Sequence, residues 1–403
     1  MLDKVARVLE KPVCDRCLGR QFSKLLSGYT NKERGALLRS AVAFALDSGE
    51  KLDVDPSNFH DFKFRKIKME GKRSGCWVCE GALEKLDKFA EMAVKSAKGI
   101  HFSTFLVGTK PPKKILENEE KLWERTGIEY CEPIKGEINR EVGKLVEAKL
   151  NIRADFKRPD VVMFLDLDAK KVGLKITPLF IFGYYSKLAR NMPQAKWRRY
   201  HKTSVEEIIA KPVMKASHGI GHTFHGGGRE DKDALCLASR PFVLEIKDPL
   251  KRKIDLKSAE KLINKDKRVK VKGLRIVDSS YVKRVKELKL DKTYRMLVRC
   301  DKPISKKELS VLRSLKRIIE QRTPNRVAHR RADIVRRRTI KSVKWKYKNS
   351  KTFELVLECE GGLYVKEVVS GDEGRTNPAV SSLLNKKCKC IELDVIRIEK
   401  PKI

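Results

Sequence analysis

The chain has 403 residues, enough for two or three domains of about 100–200 residues each, and its 41% hydrophobic content gives each a core, which excludes a peptide or a coiled rod. Lys and Arg number 91 against 53 Asp and Glu, a net charge of +38 that calls for a polyanionic partner, most naturally a nucleic acid. No apolar run approaches the ~20 residues of a membrane span, and Met1-Leu2-Asp3-Lys4 lacks the apolar block of a secretory signal, so a soluble, cytoplasmic protein without membrane contact is expected.

Residues 1–100 read as short helices around something other than a large core. Asn31-Lys32-Glu33 opens an apolar-periodic run through Leu37, Leu38, Ala41, Val42 and Leu46, and residues 80–98 repeat the pattern. Flanking these helices are Cys14-Asp15-Arg16-Cys17 and Cys76-Trp77-Val78-Cys79, two CxxC knuckles. The ten cysteines are too sparse for a disulfide scaffold, and in a reducing compartment such pairs read as metal ligands. Cys14, Cys17, Cys76 and Cys79 together complete one tetrahedral, structural zinc site. The competing reading, a thioredoxin-like redox pair, wants a preceding strand in a βαβ pattern, which neither motif has. Cys131, Cys236, Cys300, Cys359, Cys388 and Cys390 read as ordinary small core or surface residues.

From His101 the pattern becomes a strand at 102–107, helices at 117–126 and 136–150, and strands at 161–167 and 173–182, a small α+β domain. Asn191-Met192-Pro193-Gln194 reads as a linker. Residues 1–190 hold 37 basic and 27 acidic side chains, whereas 191–403 hold 54 and 26, so the electrostatic footprint lies in the second half. There, helices at 204–209, 258–264, 279–288 and 306–319 alternate with strands at 242–246, 269–277, 293–300, 335–345, 352–359 and 390–398, a mixed sheet with helices on it. The expected domains are therefore 1–100, 101–190 and 191–403.

His218 to Ala234 is the most unusual stretch, and three chemistries compete for it. Phosphate cradling needs GxxxxGK[ST] or GxGxxG, and neither is present. His218, His222 and His225 with Asp231 would make a metal site, yet HExxH is missing and no second carboxylate cluster surrounds them. The third is a glycine hinge leading to a carboxylate at the mouth of a basic cleft, where a paired acid can act on an anomeric carbon. Downstream, Arg326, Arg330, Arg331, Arg336, Arg337 and Arg338 place six guanidiniums in thirteen residues, suited to bidentate phosphate contact.

Gly228-Arg229-Glu230-Asp231-Lys232-Asp233 resembles the GRED-x-D motif of archaeal-type tRNA pseudouridine-54/55 synthases. Lys292-Thr293-Tyr294 is similar to their basic-x-Tyr motif, Gly362 to Val368 with Gly371 to Thr376 to their third motif, and Gln321 to Asp333 to their TPxRVxHRRxD segment. The resemblance implies an α+β chain with an N-terminal four-cysteine zinc-bound helical module, a THUMP-like α/β RNA-binding domain, and a C-terminal pseudouridine-synthase-type mixed β-sheet flanked by helices. It implies an isomerase that converts uridine 54 and/or 55 of the TΨC loop to pseudouridine without a catalytic cofactor, with tRNA as partner and no obligate protein partner.

On the same resemblance Asp231 is the catalytic acid, as nucleophile or as base, with Asp233 its rival, since residues two apart on an extended segment face the same way. Lys366, where many synthases carry Arg, or Arg229, would hold it ionised. Tyr294 would stack on the uracil, the alternative being a core tyrosine. Tyr364, Arg326, Arg330 and Arg331 complete the expected substrate-binding set. The rival from another class is a non-enzymatic zinc-containing RNA-binding protein, for which charge and four cysteines suffice. A THUMP-containing methyltransferase would need a glycine-rich cofactor loop and an NPPY-type tetrapeptide, and neither is present.

Overall fold

The computed structural model, which describes residues 1–196, 202–329 and 331–400, divides at the Thr177–Pro178 peptide into a unit Met1–Thr177 and a unit Pro178–Ile403. The first runs α1 (Leu2–Leu9), α2 (Asp15–Gly19), α3 (Asn31–Ser48), α4 (Leu86–Ser96), β1 (Thr104–Lys110), α5 (Lys113–Thr126), α6 (Ile134–Leu150), β2 (Arg153–Ala154), β3 (Val161–Asp166) and β4 (Lys171–Ile176). Thr30 and Glu33 form a capping box that starts α3, and Gly49, at φ 109°, ends it in the left-handed region. Where α2 crosses α3 the backbones all but touch. A Cβ on Gly19 would lie 1.8 Å from the Asn31 carbonyl oxygen, and one on Gly35 would lie 1.9 Å from that of Asp15. Arg39 locks the crossing, with its guanidinium 2.8 Å from the Asp15 carboxylate and donating to the Val13 and Asn58 carbonyls at 2.7 and 3.0 Å.

The sheet of this unit has the order β2-β1-β3-β4, with β1 parallel to both neighbours and β3–β4 antiparallel. The β1-to-β3 crossover carries α5 and α6, whose Leu122, Ile138, Val142 and Val146 join Phe105, Val161 and Met163 in one core. That core also takes in Val5, Leu9, Cys17 and Cys79, so apolar packing runs without a break from the cysteine-bearing helices to the sheet.

The second unit runs β5 (Leu179–Lys187), α7 (Val205–Ser217), β6 (Gly221–Gly226), β7 (Leu235–Lys247), α8 (Leu256–Ile263), β8 (Val269–Val277), α9 (Ser280–Glu287), β9 (Lys292–Cys300), β10 (Ile318–Arg322), α10 (Asn325–Ala328), β11 (Val335–Asn349), β12 (Thr352–Cys359), α11 (Val365–Ser370), β13 (Thr376–Asn377), α12 (Val380–Leu384) and β14 (Cys388–Ile398). Its sheet is ordered β13-β10-β11-β12-β9-β14-β7-β5-β8, with β6 added on β7. The β14–β7 pair is parallel amid antiparallel neighbours, so the sheet is mixed. Among the described residues no helix is long and apolar enough to cross a membrane.

Three local expectations change. The stretch 173–182, read as one strand, is two: Pro178 interrupts it, β4 staying with β3 while β5 pairs with β7 and β8. The break between units therefore precedes β5, upstream of the division expected at 190/191. The helix expected at 306–319 is a 3-10 helix (Glu308–Leu315) followed by β10. Leu309, Leu312 and Leu315, all fully buried, recur every third residue, the repeat of a three-residue turn. Finally, 221–226 is a strand on β7, its Phe224 stacked on Phe242 at 5.1 Å, which leaves only Gly227 and Gly228 of the glycine-rich stretch in the turn before Arg229.

In the first unit Arg20 is fully buried and ion-paired with Glu119, whose carboxylate also accepts the Ile134 N–H at 2.7 Å. Arg20→Met strands that charge in the core and is expected to destabilise the unit by about 3–5 kcal/mol, whereas replacing both partners by apolar residues recovers most of the loss. Urea denaturation followed by circular dichroism measures both.

Candidate active site

The turn between β6 and β7 carries Gly227 to Ala234 to the rim of a cleft of about 900 Å³ lined by Asp231, Lys292, Tyr294, Tyr364, Lys366 and Leu393 among others. Three strands and two helices converge there, because Lys292 and Tyr294 lie on β9, Arg336 and Arg338 on β11, Leu393 and Val395 on β14, Arg326 on α10, and Lys366 in the first turn of α11. Gln321 on β10 sets α11 by clasping Tyr364, accepting its N–H at 2.8 Å and donating to its carbonyl at 3.0 Å.

Asp231 stands between two cations. One carboxylate oxygen is 3.1 Å from Lys366 Nζ, and the other is 3.4 Å from an Arg326 guanidinium nitrogen. Lys366 also donates to both carboxylate oxygens of Asp233, at 2.8 and 2.9 Å. Burial works against charge at both partners, yet their contact wins: Lys366 is raised above the ordinary lysine range and Asp233 held below the usual carboxylate range. The two aspartates meet one lysine because 231–234 is a turn, closed by the Ala234 N–H to the Asp231 carbonyl at 3.1 Å, and not the extended segment expected from sequence. Arg326, expected among the substrate-binding residues, stands as a second cation at Asp231 and is ion-paired with Glu367 at 2.5 Å. Arg229 is exposed on the cleft wall.

Beneath this turn lies a buried polar layer. Lys187, at the end of β5 and fully buried, donates to the carbonyls of Met192, Asp231 and Lys232 at 2.9, 3.0 and 3.0 Å. Burial pulls its ammonium below the ordinary lysine value, and the nearby acids Glu230, Asp233 and Asp231 oppose that pull. Glu230 points the opposite way from Asp231, ion-paired with the buried Arg240 at 3.0 Å and accepting the Tyr185 hydroxyl at 2.9 Å. Gln194 bridges that hydroxyl and the Gly228 carbonyl at 2.6 and 2.9 Å. Gly228 has φ 86°, and a Cβ there would meet an Arg240 nitrogen at 2.9 Å, so the turn needs glycine twice over.

On the far wall the guanidiniums of Arg326, Arg331 and Arg336 sit 5.8, 6.0 and 5.9 Å from the Tyr364 ring centre, and Arg331 donates to its hydroxyl at 2.8 Å. Burial raises the Tyr294 phenol well above its usual range, so it stays protonated. Burial, with Arg240 nearby, lowers Lys292 to about 8. Arg330 lies outside the described residues. The histidines do not converge: His225 contacts Glu245 at 2.9 Å and His222 contacts Glu206 at 3.4 Å. Among the described residues the one group of potential metal ligands is Cys14, Cys17, Cys76 and Cys79, whose sulfurs lie within 4.8 Å of one another.

Comparison with known proteins finds matches in both units. The family model "Pus10, C-terminal" matches residues 180–399, and "Pus10 THUMP domain, archaeal" matches 89–166. The tRNA pseudouridine synthase Pus10 of Methanothrix thermoacetophila is 39% identical over 99% of this chain and 94% of its own. The chain belongs to the Pus10 family. The enzyme of that name from Pyrococcus furiosus is 38% identical, covering 99% of this chain and 98% of its own. A solved Cbf5-Nop10-Gar1 complex is more distant, at 14% identity and a TM-score of 0.31 over 54% of this chain and 48% of that one. Membership makes the protein an isomerase, a pseudouridine synthase, and displaces the non-enzymatic reading.

What sequence reasoning missed in this Pus10 site is its underside, Tyr185, Lys187, Gln194, Glu230 and Arg240. A signal was present, since Lys187 ends a strand whose alternate residues are apolar, but the division at 190 assigned it to another domain. Lys187→Met removes the common donor of three carbonyls, two of them in the turn that bears Asp231. A turnover loss of about tenfold or more is expected with RNA affinity nearly unchanged, and Lys187→Arg restores part of it. Single-turnover rates beside equilibrium binding separate this positioning effect from misfolding.

Proposed function

We propose that the protein converts uridine 54 and/or 55 in the TΨC loop of tRNA to pseudouridine, with Asp231 as the acid that acts on the ribose. The observation that carries this reading is the Asp231 carboxylate at the rim of a basic cleft, flanked by Lys366 and Arg326 at 3.1 and 3.4 Å. The reaction breaks the N1–C1′ bond, turns the base and forms C5–C1′, while the C5 hydrogen leaves as a proton and N1 gains one. Nothing is added overall. Attack on C1′ and removal of a ribose proton both need a carboxylate held and oriented beside the ribose, and Lys366 and Arg326 hold it from two sides.

A uridine stacked in a loop cannot offer C1′ to a side chain, so the nucleotide is flipped out at a cost of a few kcal/mol. Tyr364 with its three guanidiniums, the other arginines of 326–338 including Arg330, and Arg229 are suited to offset that cost through phosphate contacts and stacking. The Tyr294 ring stacks on the extracted uracil and keeps it from escaping. Asp231→Asn is expected to abolish pseudouridine while leaving tRNA affinity within a few fold. Asp233→Asn, which frees Lys366 for Asp231, is expected to retain turnover within about tenfold. Mass-spectrometric mapping of unmodified tRNA after incubation reads both outcomes and identifies the target uridine.

The four-cysteine cluster is proposed to hold a structural zinc ion. Its donors fit: at Zn–S near ~2.3 Å a tetrahedron has sulfur–sulfur edges of about 3.8 Å, and Cys14 Sγ lies 3.8 Å from Cys79 Sγ. With all four positions filled by thiolates the metal takes no part in the isomerisation. Cys17→Ser is expected to lower zinc content, measured by plasma mass spectrometry, and to loosen the first unit, whose core includes Cys17 and Cys79. RNA binding should fall more than the residual chemistry. The reading includes residence in the cytoplasm, where tRNA is modified.

A further inference from the structure

Cys300 closes β9 and Cys388 opens β14, and the two face each other across the antiparallel ladder. Their sulfurs are 3.1 Å apart. The neighbouring facing pair is hydrogen-bonded, with the Asp301 N–H donating to the Lys387 carbonyl at 3.0 Å. Cys300 turns its own N–H away to the Lys351 carbonyl at 2.9 Å, and Cys388 turns its N–H to the Ser381 hydroxyl at 3.0 Å. The cysteines therefore occupy the non-hydrogen-bonded kind of pair, where Cα atoms approach to about 4.5 Å and side chains are closest. That separation falls within the roughly 4.4–6.8 Å range compatible with a disulfide.

Both cysteines are buried from bulk solvent, but Cys388 forms part of the wall of a second open cleft, next to Lys386, Lys387 and Ser381. A small oxidant thus has a route to one sulfur of the pair. We propose that Cys300 and Cys388 are a disulfide-forming site that staples β9 to β14 on exposure to a low-molecular-weight disulfide.

The step is thiol–disulfide exchange. The Cys388 thiolate, its proton released to water, attacks one sulfur of the reagent R–S–S–R and expels one thiolate. The Cys300 thiolate then attacks the Cys388 sulfur of the mixed disulfide and expels the second. Two protein thiols are oxidised, one reagent disulfide is reduced to two thiols, and the two protons end on those thiols. Burial raises both protein thiols above their ordinary range, so the reaction quickens by about tenfold per pH unit through neutrality. The staple lies at the opposite end of the β9–β14 ladder from Lys292, which pairs with Ile398, so its effect falls on stability and leaves the cleft in place.

The test treats the full-length, zinc-loaded protein with cystamine, digests it without reduction and maps linked peptides by mass spectrometry. A Cys300–Cys388 peptide is expected, with Tm raised by about 5–10 °C and returned by reductant. Cys300→Ala is expected to leave Cys388 as a mixed disulfide with cysteamine, and the Cys300→Ala/Cys388→Ala double variant shows no reductant-sensitive Tm shift, which separates the effect from oxidation at the zinc cysteines. Pseudouridine formation by the stapled protein should stay within about twofold. The proposal is overturned if both thiols remain fully alkylatable after unfolding in denaturant, or if Cys388 is recovered linked to a cysteine other than Cys300.

Discussion

Two cations converge on the Asp231 carboxylate, and the second unit brings them there from separate elements. Lys366 comes from α11 and Arg326 from α10, elements far apart in the chain, and each is held by a further contact: Gln321 on the backbone beside Lys366, Glu367 on Arg326. The pairing is not exclusive, because Lys366 also serves Asp233. One ammonium therefore fixes the two acids of a single tight turn, and the turn geometry fixes which of them faces Arg326 as well.

The same turn is governed from below by a group of opposite character. Lys187 is inaccessible to solvent and spends its three donors on main-chain carbonyls, so it determines backbone position as well as local potential. Glu230 and Arg240 neutralise each other behind it, and Tyr185 with Gln194 saturates the remaining oxygen positions. Displacing a member of this layer leaves a buried polar group without its partner. The acid above it is thus presented by a polar floor, while the opposite wall is built of arginine side chains around Tyr364.

Much of this was legible from residues alone where chemistry is local. The CxxC spacing gathered four sulfurs correctly, the GRED segment pointed to Asp231, and the third motif supplied its lysine. What escaped depended on tertiary register. A strand broken by Pro178 looked continuous because both halves are apolar, and the division placed on the Asn191 to Gln194 linker separated Lys187 from the turn it supports. The leucines at 309, 312 and 315 looked helical because spacings of three and four are hard to tell apart over a single turn. The contact of Arg326 with Asp231 was not legible because the two are 95 residues apart and meet only through the packing of α10 beside the turn. The strand at 221–226 went unassigned because its histidines and glycines hid a pairing with β7.

The crossing of α2 and α3 carries one more consequence. Gly19 and Gly35 each abut a peptide oxygen of the opposite helix, and a peptide oxygen cannot be shortened or swapped for something smaller. Neither position can drift first and be rescued later by its neighbour, so this intersection is closed to stepwise mutational exploration from either side. Variation in the unit has to flow around it. The helix that presents Cys14 and Cys17 is thereby pinned against α3 at a spacing that no side chain at either glycine can widen without parting the two backbones.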